Sequence, residues 1–200
     1  MKTIGITGGV GAGKSTVLQY LEETYNCRII MADDVANHLK EPGQICYEPI
    51  IGLLGTEVVQ PDGAIDRKKM ADLIFHDRAL LKKVEAILHP AVRSYIEHAI
   101  EAERASFEHP FVVVEAALLI QCGYDTIMDE MWYVAVEDDV RRMRLKQSRG
   151  YSDEKIDAIL ASQLDDAAYR AACDVVIDNS GLPEETYRQI DLAMRENHHE

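Results

Sequence analysis

The sequence predicts an α/β fold in which a five-stranded parallel sheet is flanked by helices. Short runs of β-branched residues alternate with helical patterns along the whole chain, and this alternation is typical of parallel sheets. A glycine-rich turn joins the first such run to the first helical pattern. The run that begins at Phe111 is continuously apolar, as expected of a central strand that is buried on both faces.

The predicted strands set the organisation of a single 200-residue domain. They are Thr3–Thr7, Arg28–Met31, Phe111–Glu115, Trp132–Val136 and Asp174–Ile177. Residues 34–108 carry helical patterns only, and this stretch far exceeds an ordinary crossover helix. We therefore expect a helical insert at 34–108 that binds a second substrate, and a helical lid at 138–170. The core is then formed by residues 1–33, 109–137 and 171–200.

The turn after the first strand, Gly8 to Ser15, fits the pattern G-x-x-x-x-G-K-S and predicts a phosphate-binding loop. Its backbone N–H groups and the start of the following helix favour an anion. Lys14 supplies a compact positive charge, and the Ser15 hydroxyl is a ligand for Mg²⁺. A chance glycine turn is the weaker alternative, because a strand precedes the motif and a helical pattern follows it. The predicted nucleotide-binding residues of the loop are Gly9, Gly11, Ala12, Gly13, Lys14, Ser15 and Thr16.

Composition restricts the class of partner. The net charge of −14 disfavours a general nucleic-acid or membrane-surface binder, because such proteins need a basic face. The four cysteines show no metal-binding spacing and are expected to be reduced thiols. There is neither a signal-peptide pattern nor an apolar run long enough to span a bilayer, so a cytoplasmic location without membrane association is expected.

Two acidic sites follow predicted strands. Asp33 and Asp34 come after the second strand, where a carboxylate can accept the proton of an attacking hydroxyl. The alternative is that one of them caps the next helix; we favour Asp33 as the base and Asp34 as the cap or a first-turn charge. Glu115 ends the third strand, and two readings stay open for it: a place near the metal or its waters, and a surface position at a turn.

A basic segment follows the fourth strand, where five of the ten residues 141–150 are Arg or Lys. Acidic residues at its start and basic ones at its end complement a helix dipole, which explains the order of charges but not their density. Arg141, Arg144 and Arg149 fall roughly along one side, where they can reach phosphates. We take Arg144 and Arg149 as the best catalytic candidates. Gly150 and the following Ser152 predict a bend and a capped second helix.

Asn179 and His89-Pro90 carry two further predictions. Asn179 lies in a turn after the last strand, which is either a plain turn or a place where the adenine of ATP rests against backbone. No N-K-x-D motif occurs, so GTP is disfavoured. His89-Pro90 predicts a junction between two helices, because Pro favours the first helical turn.

With these residues in hand, the chain resembles the dephospho-CoA kinase family over essentially its full length. The opening Ile4 to Thr16 is similar to the family's G-L-T-G-G-I-G-S-G-K-S, and Ala32 to Ala36 resembles its A-D-x-I-A. The landmarks L-D-R, V-F-x-D and H-P appear in order as Ile65-Asp66-Arg67, Ile74-Phe75-His76-Asp77 and Leu88-His89-Pro90. The segment from Val176 to Gly181 matches the closing turn.

The resemblance implies transfer of the ATP γ-phosphate to the ribose 3′-hydroxyl of dephospho-CoA, which gives coenzyme A and ADP. In that reaction Asp33 is the general base, Lys14 and the loop hold ATP, Ser15 binds Mg²⁺, and Arg144 or Arg149 closes from the lid. Asn179 lies at the nucleotide. The substrates are small molecules, and we expect a monomer or a weak homo-oligomer.

The chain departs from the family pattern at several positions: Met31, Asn37, Glu115, Ala117 and Gln121 replace Asp, Arg, Asp, Pro and Glu. The arginine spacing R-L-x-x-R is stretched by one residue, from Arg144 to Arg149. These departures keep two alternatives open, a phosphate-loop kinase of another small molecule and an ATP-binding regulator that has lost turnover.

Overall fold

The computed structural model describes residues 1–197 and contains the predicted five-stranded sheet. The strands are β1 (Lys2–Thr7), β2 (Arg28–Met31), β3 (Phe111–Glu115), β4 (Glu130–Ala135) and β5 (Val175–Asp178). Their order in the sheet is β2-β3-β1-β4-β5. The β1–β3, β1–β4 and β4–β5 pairs are parallel, which confirms the predicted fold class.

The helices connect these strands. They are α1 (Lys14–Tyr25), α2 (Ala32–His38), α3 (Tyr47–Leu54), α4 (Arg67–His76), α5 (Arg78–Ser106), α6 (Asp138–Arg149), α7 (Asp153–Ala161), α8 (Asp166–Ala172) and α9 (Pro183–Asn197). Among residues 1–197, no helix combines the length and the apolar character that crossing a bilayer requires.

Alternate side chains of β4 lie on opposite faces of the sheet and are buried on both. Trp132 and Val134 belong to a cluster with residues of α1 and α9, whereas Tyr133 and Ala135 pack with Tyr169 of α8. This separation follows from the two-residue period of a strand. All five residues of β3 are buried, as its place between β2 and β1 demands.

Strand register brings one carboxylate to the glycine-rich loop. Glu115, the last residue of β3, is paired in register with Ile6 of β1. The loop begins two residues beyond Ile6, at Gly8. Because parallel strands end at the same edge, the tip of β3 lies beside the start of the loop.

The chain divides into two compact units. One comprises Met1–Ile29 and the chain from Glu103 onward, and the other comprises Ile30–Ala102. The second unit contains the end of β2, the helices α2 to α4, most of α5, and one antiparallel bridge between Val59 and Ile65. Its buried apolar side chains include Ile50, Val58, Met70 and Ile96.

The predicted helix junction at His89-Pro90 is wrong, because α5 runs without a break from Arg78 to Ser106 with Pro90 inside it. Proline removes one backbone donor and crowds the carbonyl four residues earlier, which costs about 3 kcal/mol in a helix interior. Val84, Val92 and Ile96 are buried along one face of this helix. Burial of that face outweighs the local penalty, since tertiary packing supplies most helix stability in proteins.

Candidate active site

The phosphate-binding loop has the predicted strand–loop–helix context. It leaves β1 after Thr7 and enters α1 at Lys14, and the Ala12 N–H donates to the Gly9 carbonyl at 3.1 Å. Gly13 has φ +82°, and a Cβ at this residue would lie 2.2 Å from Nδ2 of Asn179. Backbone conformation and close approach therefore both require glycine at position 13. The N–H groups of Lys14 and Ser15 open α1 and have no partner one turn back in the helix.

Lys14 and Glu115 form an ion pair at the mouth of this loop. Lys14 Nζ lies 3.2 Å from Glu115 Oε1 and donates to the Gly8 carbonyl at 2.8 Å. Glu115 is 6% exposed, so the reading of Glu115 as a surface residue is wrong. A buried carboxylate needs such a partner, because an isolated charge is expensive to desolvate.

Asn179 holds the loop from the end of β5. Its Nδ2 donates to the Ala12 carbonyl at 2.8 Å, and its Oδ1 accepts from Thr186 Oγ1 at 3.0 Å. The backbone N–H of Asn179 donates to the Ala135 carbonyl at 2.9 Å. Both ends of this buried side chain are therefore engaged within the protein.

The basic helix α6 lies against the loop. Arg141 Nε donates to the Val10 carbonyl at 2.7 Å. Arg144 presents a buried Nη1 that has no hydrogen-bond partner within residues 1–197. This nitrogen is 3.4 Å from the position that a Cβ on Gly13 would occupy. Arg144 is half-buried, and a guanidinium with one buried, unsatisfied nitrogen beside the loop is an arrangement that an anionic ligand would satisfy.

The other arginines of α6 have different environments. Arg142 pairs with Asp157 of α7 and Asp153, which joins the two helices of the predicted lid. Arg149 is exposed, and its guanidinium carbon lies 5.9 Å from the ring centroid of Tyr151. A hydrogen bond from Arg149 lowers the pKa of Tyr151. The structure thus places Arg144 at the loop and Arg149 at Tyr151.

The predicted bend between α6 and α7 is confirmed. Gly150 is left-handed with φ +62° and its N–H donates to the Lys146 carbonyl at 3.0 Å. Ser152 caps α7, because its hydroxyl accepts from the Lys155 N–H at 3.4 Å.

Asp33 and Asp34 both lie in the first turn of α2, within the second unit. The N-cap position belongs to Met31 and has no side-chain cap bond, so the capping alternative is wrong for both carboxylates. Asp34 is a first-turn charge, which favours the helix dipole. Both side chains are exposed, as a general base must be to meet its substrate. The assignment of Asp33 as that base stays a prediction.

A cavity of about 390 Å³ lies within the second unit. Lys40 and Arg67 supply its cations, and burial followed by the nearby Arg67 charge lowers the pKa of Lys40. Asp66 accepts from the N–H groups of Lys68 and Lys69, so it caps α4 and fixes the position of Arg67. The remaining lining residues are Asn37, Glu41, Pro42, Ala64, Ile65, Met70, Ala71 and Ile74.

Sequence reasoning missed Gln163, which follows α7. Its Oε1 accepts from the Val10 N–H at 3.2 Å and from Arg141 Nη2. Nothing in the local sequence marks this glutamine. Arg141 belongs to the same basic helix as Arg144, and its spacing of three from Arg144 places the two on one helix face.

Comparison with known proteins identifies the chain. A sequence model of the dephospho-CoA kinase family matches residues 2–185. The chain belongs to the dephospho-CoA kinase family. It is 39% identical over 197 residues to the dephospho-CoA kinase of Symbiobacterium thermophilum, a match that covers 98% of this chain and 81% of that protein. It is thus a kinase of the family that makes coenzyme A from dephospho-CoA.

Solved structures share the fold. A Thermus thermophilus protein, TT1252, superposes with a TM-score of 0.79 at 29% identity and covers 98% of this chain and 97% of its own. Dephospho-CoA kinase from Campylobacter jejuni superposes with a TM-score of 0.72 at 20% identity, covering 97% and 96% of the two chains. At that identity the second likeness concerns the fold alone.

Two departures from the dephospho-CoA kinase pattern have a structural place. Met31 is 39% exposed at the end of β2. Asn37 lines the second-unit cavity, where an arginine would add a further cation.

Proposed function

We propose that this chain transfers the γ-phosphate of ATP to the ribose 3′-hydroxyl of dephospho-CoA, with Asp33 as base and Arg144 as the cation at the transferred group. The observation that supports this assignment most directly is the buried, unpaired Nη1 of Arg144 beside the phosphate-binding loop. Because the chain has a net charge of −14, a cation at this place does not reflect a generally basic surface, and binding of an anionic ligand accounts for it.

The loop would hold the triphosphate through backbone donors and two side chains. Lys14 brings its charge to the loop mouth, where Glu115 and the Gly8 carbonyl orient it. Fixed donors of this kind stabilise phosphoryl transfer without reorganisation during the reaction. The binding set is Gly9, Gly11, Ala12, Gly13, Lys14, Ser15 and Thr16, together with the backbone at Asn179.

The residues near the start of α1 suit a magnesium ion. Ser15 offers an exposed hydroxyl, and the Glu115 carboxylate lies at the tip of β3. Both are oxygen donors, which Mg²⁺ prefers. When bound, the ion would supply charge neutralisation across the phosphates. Ser15 is the proposed direct ligand, and Glu115 would act through its pairing with Lys14.

The chemical step needs one proton acceptor. As the 3′-oxygen forms its bond to the γ-phosphorus, the bond from that phosphorus to the β–γ bridging oxygen breaks. The hydroxyl proton passes to the Asp33 carboxylate, and ADP leaves with the bridging oxygen. Arg144 would neutralise charge on the transferred group, and Arg149 would join it from the lid once released from Tyr151.

The second-unit cavity is the proposed site of dephospho-CoA. Lys40 and Arg67 would bind its diphosphate, and Ile65, Met70 and Ile74 would pack against its pantetheine arm. This assigns the acceptor to the helical insert at 34–108. Asp33 and the cavity residues belong to one unit, and the Asp33 charge opposes the lowering of the Lys40 pKa.

The setting of the reaction is inferred from the thiols and the charge. The four cysteines, all within the described residues, form no disulfide, and burial raises the pKa of the Cys27 thiol to about 12, which keeps it protonated and inert. Thiols without disulfides support a reducing, cytoplasmic location. The acidic surface supports small-molecule substrates rather than nucleic acid or membrane, and we infer a monomer or a weak homo-oligomer.

An acceptor panel tests this function. ADP release from ATP would be measured with dephospho-CoA, with AMP and with shikimate, and the product would be identified by mass as the 3′-phosphorylated form. We expect release with dephospho-CoA only. Phosphorylation of another acceptor would favour a different small-molecule kinase, whereas ATP binding without any product would favour an ATP-binding regulator.

A further inference from the structure

Two side chains outside the phosphate-binding loop hold both backbone polar groups of its residue Val10. Arg141 Nε donates to the Val10 carbonyl at 2.7 Å, and the Val10 N–H donates to Gln163 Oε1 at 3.2 Å. Arg141 Nη2 donates to the same Gln163 oxygen. We call Arg141 and Gln163 the Val10 clamp. Its three hydrogen bonds form a closed ring that fixes the orientation of the two peptides on either side of the Val10 Cα.

The residues around the Val10 clamp leave space for it and hold Arg141 in place. A Cβ on Gly9 would lie 1.9 Å from Arg141 Nη2 and 2.7 Å from Gln163 Oε1, so only glycine leaves room for the guanidinium. Tyr133 and Tyr169, whose rings stack at 4.7 Å, lie close enough to Arg141 to act on its charge. Burial is the largest effect on Arg141 and lowers its pKa. A half-buried arginine with such partners is not a mobile surface group.

We infer that Gln163 and Arg141 are positioning residues that keep the phosphate-binding loop in its binding conformation before ATP arrives. The inference rests on the proposed placement of ATP in this loop. With the N–H of the Gly9–Val10 peptide and the C=O of the Val10–Gly11 peptide both held, neither peptide can rotate freely, so the donors that follow keep their direction. Without the Val10 clamp, the loop would have to be ordered by the nucleotide, and that ordering would weaken ATP binding.

Loss of the Val10 clamp should affect the two substrates differently. The Val10 clamp acts on the loop that holds ATP, whereas the proposed dephospho-CoA cavity lies in the other unit. Loss of the clamp should therefore raise the Kd and KM for ATP and leave the KM for dephospho-CoA unchanged. A merely structural role in folding would instead lower the melting temperature and reduce active enzyme without this split.

Gln163→Met tests this difference, because methionine keeps the volume and removes the acceptor. We expect the Kd for ATP to rise about tenfold, as for loss of a charge-assisted hydrogen bond that organises a site. Gln163→Glu retains an acceptor oxygen for both donors and should restore most of the affinity. Gly9→Ala displaces both side chains without removing a polar atom and should reproduce the loss. Gln147→Met, at an exposed glutamine on α6, is the matched control and should bind ATP like the parent.

A double-mutant cycle gives the decisive outcome. If Arg141 and Gln163 act together on the backbone of Val10, Arg141→Met combined with Gln163→Met should cost little more ATP affinity than the larger single effect. Unchanged ATP affinity in Gln163→Met, or equal losses for ATP and dephospho-CoA, would overturn the inference. Because ATP binding is measured without an acceptor, absence of turnover in the parent would refute the proposed function and leave this test intact.

Discussion

At the scale of single residues, we expect Arg144 to lower the stability of the folded protein and to raise its activity. Its buried Nη1 has no partner among the described residues, and a buried polar atom left without a hydrogen bond destabilises the folded protein. We expect Arg144→Met to lower kcat/KM by roughly 10²–10³, the usual cost of removing a preorganised charge at the reacting group. The same variant should melt at a higher temperature than the parent.

Arg142→Met is the matched control for that prediction. Arg142 lies on the same helix but pairs with Asp153 and Asp157, and exposed ion pairs contribute little. Its turnover should stay near that of the parent. A fall in melting temperature for Arg144→Met, or full activity, would show that Arg144 is a structural residue.

Asn179 makes a second prediction at this scale. In Asn179→Asp the Nδ2 donor to Ala12 becomes an oxygen that faces a carbonyl, while the bond from Thr186 is retained. We expect the free energy of unfolding to fall by about 1–3 kcal/mol, the cost of leaving a buried polar group unsatisfied. Urea denaturation would measure this change, and ATP binding should weaken in the same variant. Equal stability of variant and parent would show that Asn179 does not stabilise the loop.

The sequence predicted the loop residues but not what surrounds them. Lys14 and Gly13 belong to a short motif whose geometry is local, so their roles can be read from spacing. Gln163 reaches Val10 across 153 residues, and no local pattern encodes that contact. Glu115 was placed at a strand tip, but the choice between a buried and a surface position depended on Lys14 being 3.2 Å away.

At the scale of elements, strands were predicted to within two residues because each is an apolar run. The start of β4 at Glu130 was missed, since that residue joins the strand through pairing with Ile4 rather than through its own propensity. The continuity of α5 through Pro90 was missed for a related reason. Local proline chemistry favoured a junction, and burial of Val84 and Val92 decided otherwise.

Helix α4 offers a test of how an element positions a functional side chain. Asp66 caps it through the N–H groups of Lys68 and Lys69, immediately before Arg67 at the proposed acceptor cavity. Asp66→Ala should lower the free energy of unfolding by about 1 kcal/mol and raise the KM for dephospho-CoA. Asp66→Asn is the control, because asparagine caps equally well. An unchanged KM for dephospho-CoA in Asp66→Ala would show that the cap does not position Arg67 for acceptor binding.

At the scale of the whole molecule, stability should depend on acid pH through Glu103. This buried carboxylate accepts from His109 at 3.0 Å and from Arg28. The hydrogen bond from His109, followed by that from Arg28, lowers the pKa of Glu103. A carboxylate whose pKa is lower in the folded state stabilises above its ordinary pKa, and this contribution is lost as pH falls through the folded value.

Glu103→Gln should therefore be less stable than the parent at neutral pH, and its loss of stability on acidification should be less steep. Glu101→Gln, at an exposed position on the same helix, is the control and should follow the parent. Thermal melts between neutral and acid pH would measure both. Parallel stability curves for Glu103→Gln and the parent would exclude Glu103 as the source of the dependence.

The distribution of charge over the molecule also bears on the mechanism. The chain has net charge −14, and yet Lys14, Arg141 and Arg144 all lie at one loop. Composition predicted that such local clusters must exist, and the motif predicted where one would be. The catalytic role of Asp33 is the part of the account on which all of this chemistry depends.

A coupled assay of ADP release, with and without dephospho-CoA, tests that role most directly when it is run on the parent and on Asp33→Asn. The account predicts acceptor-dependent release in the parent and near-complete loss in Asp33→Asn, with the Kd for ATP within about twofold of the parent because the loop is untouched. Asp34→Asn, the neighbouring first-turn carboxylate, should retain most of the activity. Full turnover in Asp33→Asn would contradict the account and move the base elsewhere, to Asp34 first.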